Sequence, residues 1–282
     1  MTQQALEETC RNLLEAGAVD VVIGYGSNGD EAPHPTFVTD PAATNQLVFD
    51  DRCTQNLTRY LTKADVRRLG RPAVVVKGCD ARTIVVLEKE AQLVREDVHV
   101  IGVACNGVGT PRSAKCRTCD VHMPSGCDEV VGEAVDGAES TGVDERYAEL
   151  DDLLGLPVED RFSYWAQEME RCLRCYACRQ VCPLCYCPVC VMDKNRPQVV
   201  DTSPHAKGNL AFHITRAFHL ASRCVGCDEC TRACPVGINV RLLNLAIARA
   251  VEQQFDFRPG MDPAVGPVTG SYSLGDSEDF IR

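Results

Sequence analysis

The sequence predicts an α/β domain with a small parallel sheet, followed by a mainly α-helical domain organised around cysteines. Two observations carry this. In the first half, short apolar runs without alternation are separated by segments of helical period, the pattern of parallel strands covered on both faces. In the second half, two cysteine runs of identical spacing sit among helical segments: Cys172-x2-Cys175-x2-Cys178-x3-Cys182-Pro183 and Cys224-x2-Cys227-x2-Cys230-x3-Cys234-Pro235.

The elements follow in order. Residues 2–16 read as an amphipathic helix through Leu6, Leu13 and Leu14, stopped by Gly17. Val19–Tyr25 reads as a buried strand, and 27–41 as a polar, proline-containing loop. Gln55–Leu69 has helical period, punctuated by Gly70 and Pro72. Ala73–Lys77 is a second strand, Asp80–Arg95 a crossover helix and Val98–Ala104 a third strand. Residues 1–127 therefore form the α/β domain. Residues 128–161 carry twelve carboxylates against Arg146 and Arg161 and read as an acidic linker with one short helix at 144–154. Residues 162–254 form the second domain, with helices at Phe162–Leu173, Asn209–Ser222 and Val240–Gln254. On the middle helix Leu210, Ile214, Ala217, Phe218 and Ala221 mark the apolar side. The Gly-, Pro-, Asp- and Ser-rich tail 255–282 has no core of its own.

Eighteen cysteines in 282 residues far exceed ordinary usage. A disulfide scaffold belongs to short secreted chains. Here Met1–Arg11 is polar, shows no signal-peptide pattern, and no apolar run is long enough to span a membrane. The expected setting is a reducing cytoplasm, where cysteines at metal spacing bind metal. A net charge of −11 argues against nucleic acid as a partner.

The spacing of each run is the one that holds 4Fe-4S clusters in bacterial ferredoxins, where the fourth cysteine serves the other cluster. Three sulfurs at i, i+3 and i+6 converge on three corners of a cube, and the fourth lies too far along to close the same cube without strain. Cys172, Cys175 and Cys178 should therefore pair with Cys234, and Cys224, Cys227 and Cys230 with Cys182. The long gap between the runs fits a helical two-cluster ferredoxin-type domain; the alternative is the compact βαβ-type ferredoxin.

The α/β domain has a metal pattern of its own. Cys79 follows the second strand and Cys105 ends the third, so both lie at the C-terminal edge of a parallel sheet, where open α/β folds place their sites. Cys79 opens a helix, with Asp80 as cap, where backbone N–H groups favour a thiolate. Cys116-x2-Cys119 lies in the next loop, and two pairs make four ligands.

On Gly78-Cys79, Cys105-Asn106-Gly107, Cys116-Arg117-Thr118-Cys119 and Val131-Gly132-Glu133, residues 12–133 resemble the beta subunits of deazaflavin-coenzyme-reducing hydrogenases and related formate dehydrogenases. The resemblance implies that these four cysteines bind one 4Fe-4S cluster, with Cys127 as a spare ligand close by. The family's N-terminal Gly-Gly-x-Val-Thr-type segment has no counterpart before Leu13, and the acidic linker stands where the flavin-binding domain would continue. FAD is therefore not expected. The segment around Cys224 and Cys234-Pro-Val-Gly-Ile resembles the dicluster module of the heterodisulfide reductase C subunit.

Three further cysteines, Cys185, Cys187 and Cys190, follow the first run directly. They are candidate ligands of an additional metal site, substitutes within the two standard clusters, or structural thiols. Cys10 and Cys53 are isolated and read as packing residues. His213 and His219 read as ordinary helix residues, and Trp165 as core. Arg171, Arg174, Arg179, Arg223 and Arg232 lie near the runs and would tune potential and docking. No general acid–base pair or nucleophile stands out. The expectation is an electron-transfer subunit with three, possibly four, 4Fe-4S clusters. Its partner would be a flavin- or metal-bearing catalytic subunit of a cytoplasmic redox complex. The competing expectation is a flavin-dependent reductase of a deazaflavin-like carrier.

Overall fold

The computed structural model describes residues 2–27, 29, 31–133, 142–193, 201, 203–270 and 275. The first half contains α1 (Thr2–Glu15), β1 (Val21–Gly26), β2 (His34–Val38), β3 (Leu47–Val48), α2 (Ala64–Arg67), β4 (Pro72–Val76), α3 (Gly78–Lys89), β5 (His99–Val103) and β6 (Glu129–Val131). The strands form one sheet in the order β2-β1-β4-β5-β6, with β3 also paired to β1. The pairs β1–β4, β4–β5 and β5–β6 are parallel. β2 and β3 are antiparallel to β1.

The sheet is thus mixed rather than purely parallel. β2 lies inside the segment expected to be a loop, because its exposed and half-buried pattern is that of an edge strand, which lacks the apolar run of a central one. The central strands match the prediction: Val21, Val22, Ile23 and Val74 to Val76 are essentially inaccessible to solvent. β6 extends the sheet into the acidic segment, with only Val131 buried.

The helix expected over Gln55–Leu69 is instead a 3-10 turn at Leu57–Tyr60 followed by α2. Asn56 stops a continuous helix from forming. Its carboxamide oxygen accepts from the Thr58 backbone N–H (3.1 Å) and hydroxyl (2.6 Å), and its nitrogen donates to Thr83 Oγ1 (3.1 Å) on α3. This local bonding competes with the helical ladder. Asp80 lies in the first turn of α3 rather than at its cap; Lys77 is the cap, and the Asp80 carboxylate accepts from the Lys77 backbone N–H.

Among the described residues, the chain from 142 onward carries helices and turns only. These are α4 (Val143–Arg146), α5 (Asp151–Leu154), α6 (Val158–Glu170), α7 (Ala177–Val181), α8 (Ala206–His219), α9 (Glu229–Arg232) and α10 (Val240–Phe255). The single short helix expected at 144–154 is two short helices joined by a 3-10 turn. α6 packs through Trp165 and Met169 against α10 and the cysteine loops.

The apolar face predicted for α8 is buried only in part: Ala217 is buried and Leu210 packs in the cluster around Met169. Ile214 and Phe218 are exposed, at 40% and 60%, whereas Asn209, His213 and Arg216 are buried beside Phe212 and Ala217. The helix turns a polar side inward because its neighbours are cysteine loops. Asn209 donates to the carbonyls of Met169 (3.0 Å) and Cys172 (2.8 Å), and Arg216 to that of Cys178 (3.2 Å).

The start of the tail is docked. Arg82 on α3 donates twice to the Pro259 carbonyl, and a Cβ on Gly260 would collide with the Arg82 carbonyl. Residues 271–274 and 276–282 of the expected tail lie outside the described residues.

Replacing Asn56 by alanine removes three buried hydrogen bonds and leaves Thr83 Oγ1 and the Thr58 N–H without this partner. A loss of about 1–3 kcal/mol is expected, read as a lower urea midpoint at unchanged slope.

Candidate metal centres

Cys79, Cys105, Cys116 and Cys119 line one cavity at the C-terminal ends of β4 and β5. Their loops are tied together by His122. Its Nδ1 is 2.9 Å from the Cys105 carbonyl and its Nε2 is 2.8 Å from that of Cys119. The Gly107 N–H points at the Cys105 sulfur and the Val108 N–H at the Cys116 sulfur, each at 3.4 Å. Burial pushes the thiols of Cys79, Cys105 and Cys119 above their ordinary range, so a thiolate there requires nearby positive charge.

That charge is present. Lys77, Arg82, Lys115 and Arg241 line the same cavity. Lys77 is fully buried and pairs with Asp80 at 2.7 Å. Arg241 is buried, its Nε is without a partner, and burial pulls its guanidinium down to about 10. Lys115 donates to the carbonyls of Thr54 (2.9 Å) and Cys227 (3.0 Å). Four thiols surrounded by buried cations suit an anionic group. Among the described residues no three ligand-type side chains converge on one point as a single ion demands. A cubane needs no such convergence, because each of its four thiolates binds a different iron. Cys127 does not line this cavity; its sulfur donates to the Ser125 carbonyl and packs against the sheet core.

The two cysteine runs fold alike. Left-handed backbone occurs two and four residues after the first cysteine of each: at Arg174 (φ 53°) and Tyr176 (φ 62°), and at Gly226 (φ 73°) and Asp228 (φ 63°). Only one of these four is glycine, and such strain is retained where a site demands it. Each run then enters a short helix, α7 or α9.

Cys172, Cys175, Cys178 and Cys234 line a second cavity. The Arg174 N–H points at Cys172 sulfur (3.4 Å) and the Ile238 N–H at Cys234 sulfur (3.3 Å). His213 Nε2 is 3.5 Å from the Cys172 sulfur. Burial, reinforced by Arg216 and Arg174, pulls this imidazole down to about 4, so it is neutral near pH 7. Cys182 stands close to the other run. The thiols of Cys224, Cys227 and Cys230 are raised first by burial and then by Cys182. Cys182 packs in one cluster with Cys227 and Cys224, and Cys234 shares its cavity with Cys172, Cys175 and Cys178.

The three groups adjoin. Cys224 and Gly226 line the first cavity, beside the sheet. Cys230 packs in one cluster with Cys172, Cys178 and Cys234. Cys10 and Cys53 are fully buried packing residues, and Trp165 is half-buried in the helical core, as their isolation in sequence predicts. The residues that sequence reasoning missed are cations and one histidine: Lys77, Arg82, Arg216, Arg241 and His213, all buried, and the half-buried Lys115. The available signal was a charge within an apolar helix or strand, as at Arg216 between Phe212 and Leu220.

Among curated proteins the chain is similar to the F420-dependent formate dehydrogenase subunit beta of Methanocaldococcus jannaschii. The two are 29% identical over 104 residues, 37% of this chain and 27% of that one. It is also similar to the F420-dependent formate dehydrogenase 1 subunit beta of Methanococcus maripaludis. There the identity is 23% over 354 aligned positions, covering 92% of this chain and 90% of the relative. No family model matches. Among the described residues, no helix is long and apolar enough to cross a membrane.

Gly78 separates β4 from Cys79, and a Cβ there would strike the carbonyl oxygen of Val121, in the loop that follows Cys119. Gly78→Ala should therefore displace that loop. Its expected effect is loss of iron from this cavity alone, read as about four fewer irons per chain in an anaerobic assay, with the helical half unaffected.

Proposed function

We propose that this chain is an iron–sulfur electron-transfer subunit of a multi-subunit oxidoreductase, carrying three four-iron clusters. Cys79, Cys105, Cys116 and Cys119 would hold the first. Cys224, Cys227, Cys230 and Cys182 would hold the second, and Cys172, Cys175, Cys178 and Cys234 the third. The observation that carries the reading is the presence of Cys79, Cys105, Cys116 and Cys119 on one cavity and of Cys172, Cys175, Cys178 and Cys234 on another, with Cys182 packed against Cys224 and Cys227. Both relatives are named as beta subunits of formate dehydrogenases, which supports a place in a redox complex.

When bound, such clusters exchange single electrons. The chain's own residues have three tasks here. The cysteine loops hold the sulfurs and aim backbone N–H groups at them, which sets potential as well as position. Val225, Leu245 and Ala248 exclude water from the first cavity. Lys115 and Arg82 put positive charge between the first set and the second: Lys115 donates to the Cys227 carbonyl and Arg82 to that of Val225 (3.4 Å). No side chain in the three sets is placed to move a proton to or from an organic substrate. Two-electron chemistry is therefore assigned to a flavin- or metal-bearing partner subunit.

An anaerobic iron and sulfide assay should give at least about twelve irons per chain, four per cluster; about eight would remove the first cluster. The cross-pairing of the runs has a separate test. The double variant Cys172→Ala/Cys234→Ala should lose one cluster, about four irons, because both residues serve the same one. A loss of about eight would mean that each run closes on its own cluster.

The names of the relatives carry a second reading, a flavin-dependent reductase of a deazaflavin. Stoichiometric flavin released by acid from the purified chain, or steady oxidation of a reduced deazaflavin by the chain alone, would establish it in place of the first.

A further inference from the structure

Besides Cys10, Cys53 and Cys127, three thiols remain outside the sets above: Cys185, Cys187 and Cys190. They line a single cavity of about 230 Å3, otherwise walled mainly by apolar side chains, between the segment after the first run and α8. Four basic side chains also face it: Arg179, Arg216, Arg223 and His219. Two of the arginines are committed elsewhere, Arg179 to Asp193 (3.1 Å) and Arg223 to Glu90 (2.7 Å). Arg216 is different. It is 5% exposed, donates through Nη2 to the Cys178 carbonyl, and its Nε and Nη1 have no hydrogen-bond partner.

A buried guanidinium with two unanswered N–H donors is costly unless an anion completes it. Chain carboxylates do not supply that anion, since none lines the cavity; the negative groups that bear on Arg216 are thiols, Cys185 of this cavity first and then Cys182, Cys230 and Cys178. A zinc ion does not suit the place. It would put a dication beside the unpaired guanidinium, and it needs four donors at about 2.0–2.3 Å from one point. Among the described residues no three ligand-type groups meet that condition. An iron–sulfur cluster carries net negative charge once thiolates bind it, and it spreads its ligands over separate irons. His219 is the one other metal-ligating side chain on the wall.

We propose that Cys185, Cys187, Cys190 and His219 bind a fourth, anionic four-iron cluster, with the Arg216 guanidinium as its charge partner. The site adjoins the second cluster of the reading above, since the Cys185 N–H donates to the Cys182 carbonyl (3.3 Å) and the two side chains pack in one cluster. It rests on the same iron–sulfur chemistry but uses none of the same ligands. It gives the chain a branch point or a terminus close to the surface: Cys187 is exposed, and Val189 and Val191 beside it are 52% and 56% exposed.

The test is iron and labile sulfide per chain, measured on anaerobically purified wild type and two variants. Wild type should hold about sixteen irons, four per cluster, and Cys187→Ala/Cys190→Ala about twelve. That double variant leaves Cys185 in place, so the Cys182 neighbourhood is unchanged. His219→Ala should lose about one iron from the same cluster and show the electron paramagnetic resonance signal of an oxidised three-iron species. His219→Cys should restore the four-iron spectrum. About twelve irons in wild type, or unchanged iron in Cys187→Ala/Cys190→Ala, would overturn the fourth site while leaving the three-cluster reading standing. Absence of iron and sulfide from wild type would instead overturn both. Zinc lost on the double substitution would replace the cluster by a zinc site.

Discussion

Buried positive charge at the seam between the two halves is the constraint on which this molecule depends. Arg82 rises from the helix after β4, deep in the sheet half, and reaches carbonyls of the second cysteine run and of the tail. Lys115, from the loop that bears Cys116, reaches the carbonyl of Cys227. Arg241 comes the other way, from the first turn of α10, into the cavity beside the sheet, where Glu149 pairs with it. Removing a guanidinium or ammonium from water costs several kcal/mol. Glu149 stands with Arg241, while Arg82 and Lys115 donate to backbone carbonyls. On the proposed reading, thiolates would supply the remaining negative charge, which would tie the fold of the seam to its occupant.

Around that seam runs a second set of ion pairs that joins the segments flanking the helical half. Asp120, next to Cys119, accepts from Arg146 at 2.7 Å and from Arg258 at 2.5 and 2.7 Å. Arg146 also pairs with Glu252 at 2.8 Å, and the Tyr147 hydroxyl donates to the same carboxylate. The acidic segment therefore contributes to the tertiary structure. Its α4 brings Arg146 between a cysteine loop of the sheet half and α10 of the helical half. Partners that are this buried hold register more than they add net stability, since each charge gives up its hydration to be there.

Much of this was legible in the sequence, for reasons that can be stated residue by residue. The strands Val21–Gly26 and Pro72–Val76 announce themselves because a strand buried on both faces must be apolar throughout. The expected cysteine groupings come from chain geometry: a residue four positions beyond Cys178 is poorly placed to return to the same cube, and Cys182 does pack with Cys224 and Cys227. What failed to show was decided by tertiary surroundings. α8 reads as a helix with Ile214 and Phe218 on its apolar side, yet it exposes both and buries Asn209, His213 and Arg216. Nothing within those residues distinguishes the two faces, because the inward face is selected by cysteine loops distant in sequence. β2 was missed for a related reason: an edge strand answers to one neighbour and needs no apolar run. Cys127 looked like a spare ligand by its distance along the chain, but Pro124 and Gly102 turn it into the sheet core.

The adjacency of the sets gives the proposed relay an order. The Cys79 set lies in the seam, closed off by both halves. Cys224 lies on the wall of that same cavity, so the second set is its immediate neighbour. Cys230 then packs with Cys172, Cys178 and Cys234 of the third. At the far end, Cys175 is exposed and Leu173 beside it is 62% exposed. The second set is the most buried of the three, with Cys182, Cys227 and Cys230 all buried, and the third holds their one exposed cysteine, Cys175, within reach of a partner. A chain whose sites held cofactors for separate purposes would have no need to place a member of one set on the wall of the next. The place of Cys224 in a run and on the wall of the sheet-side cavity is thus the feature that would make the two halves a single path in the proposed relay.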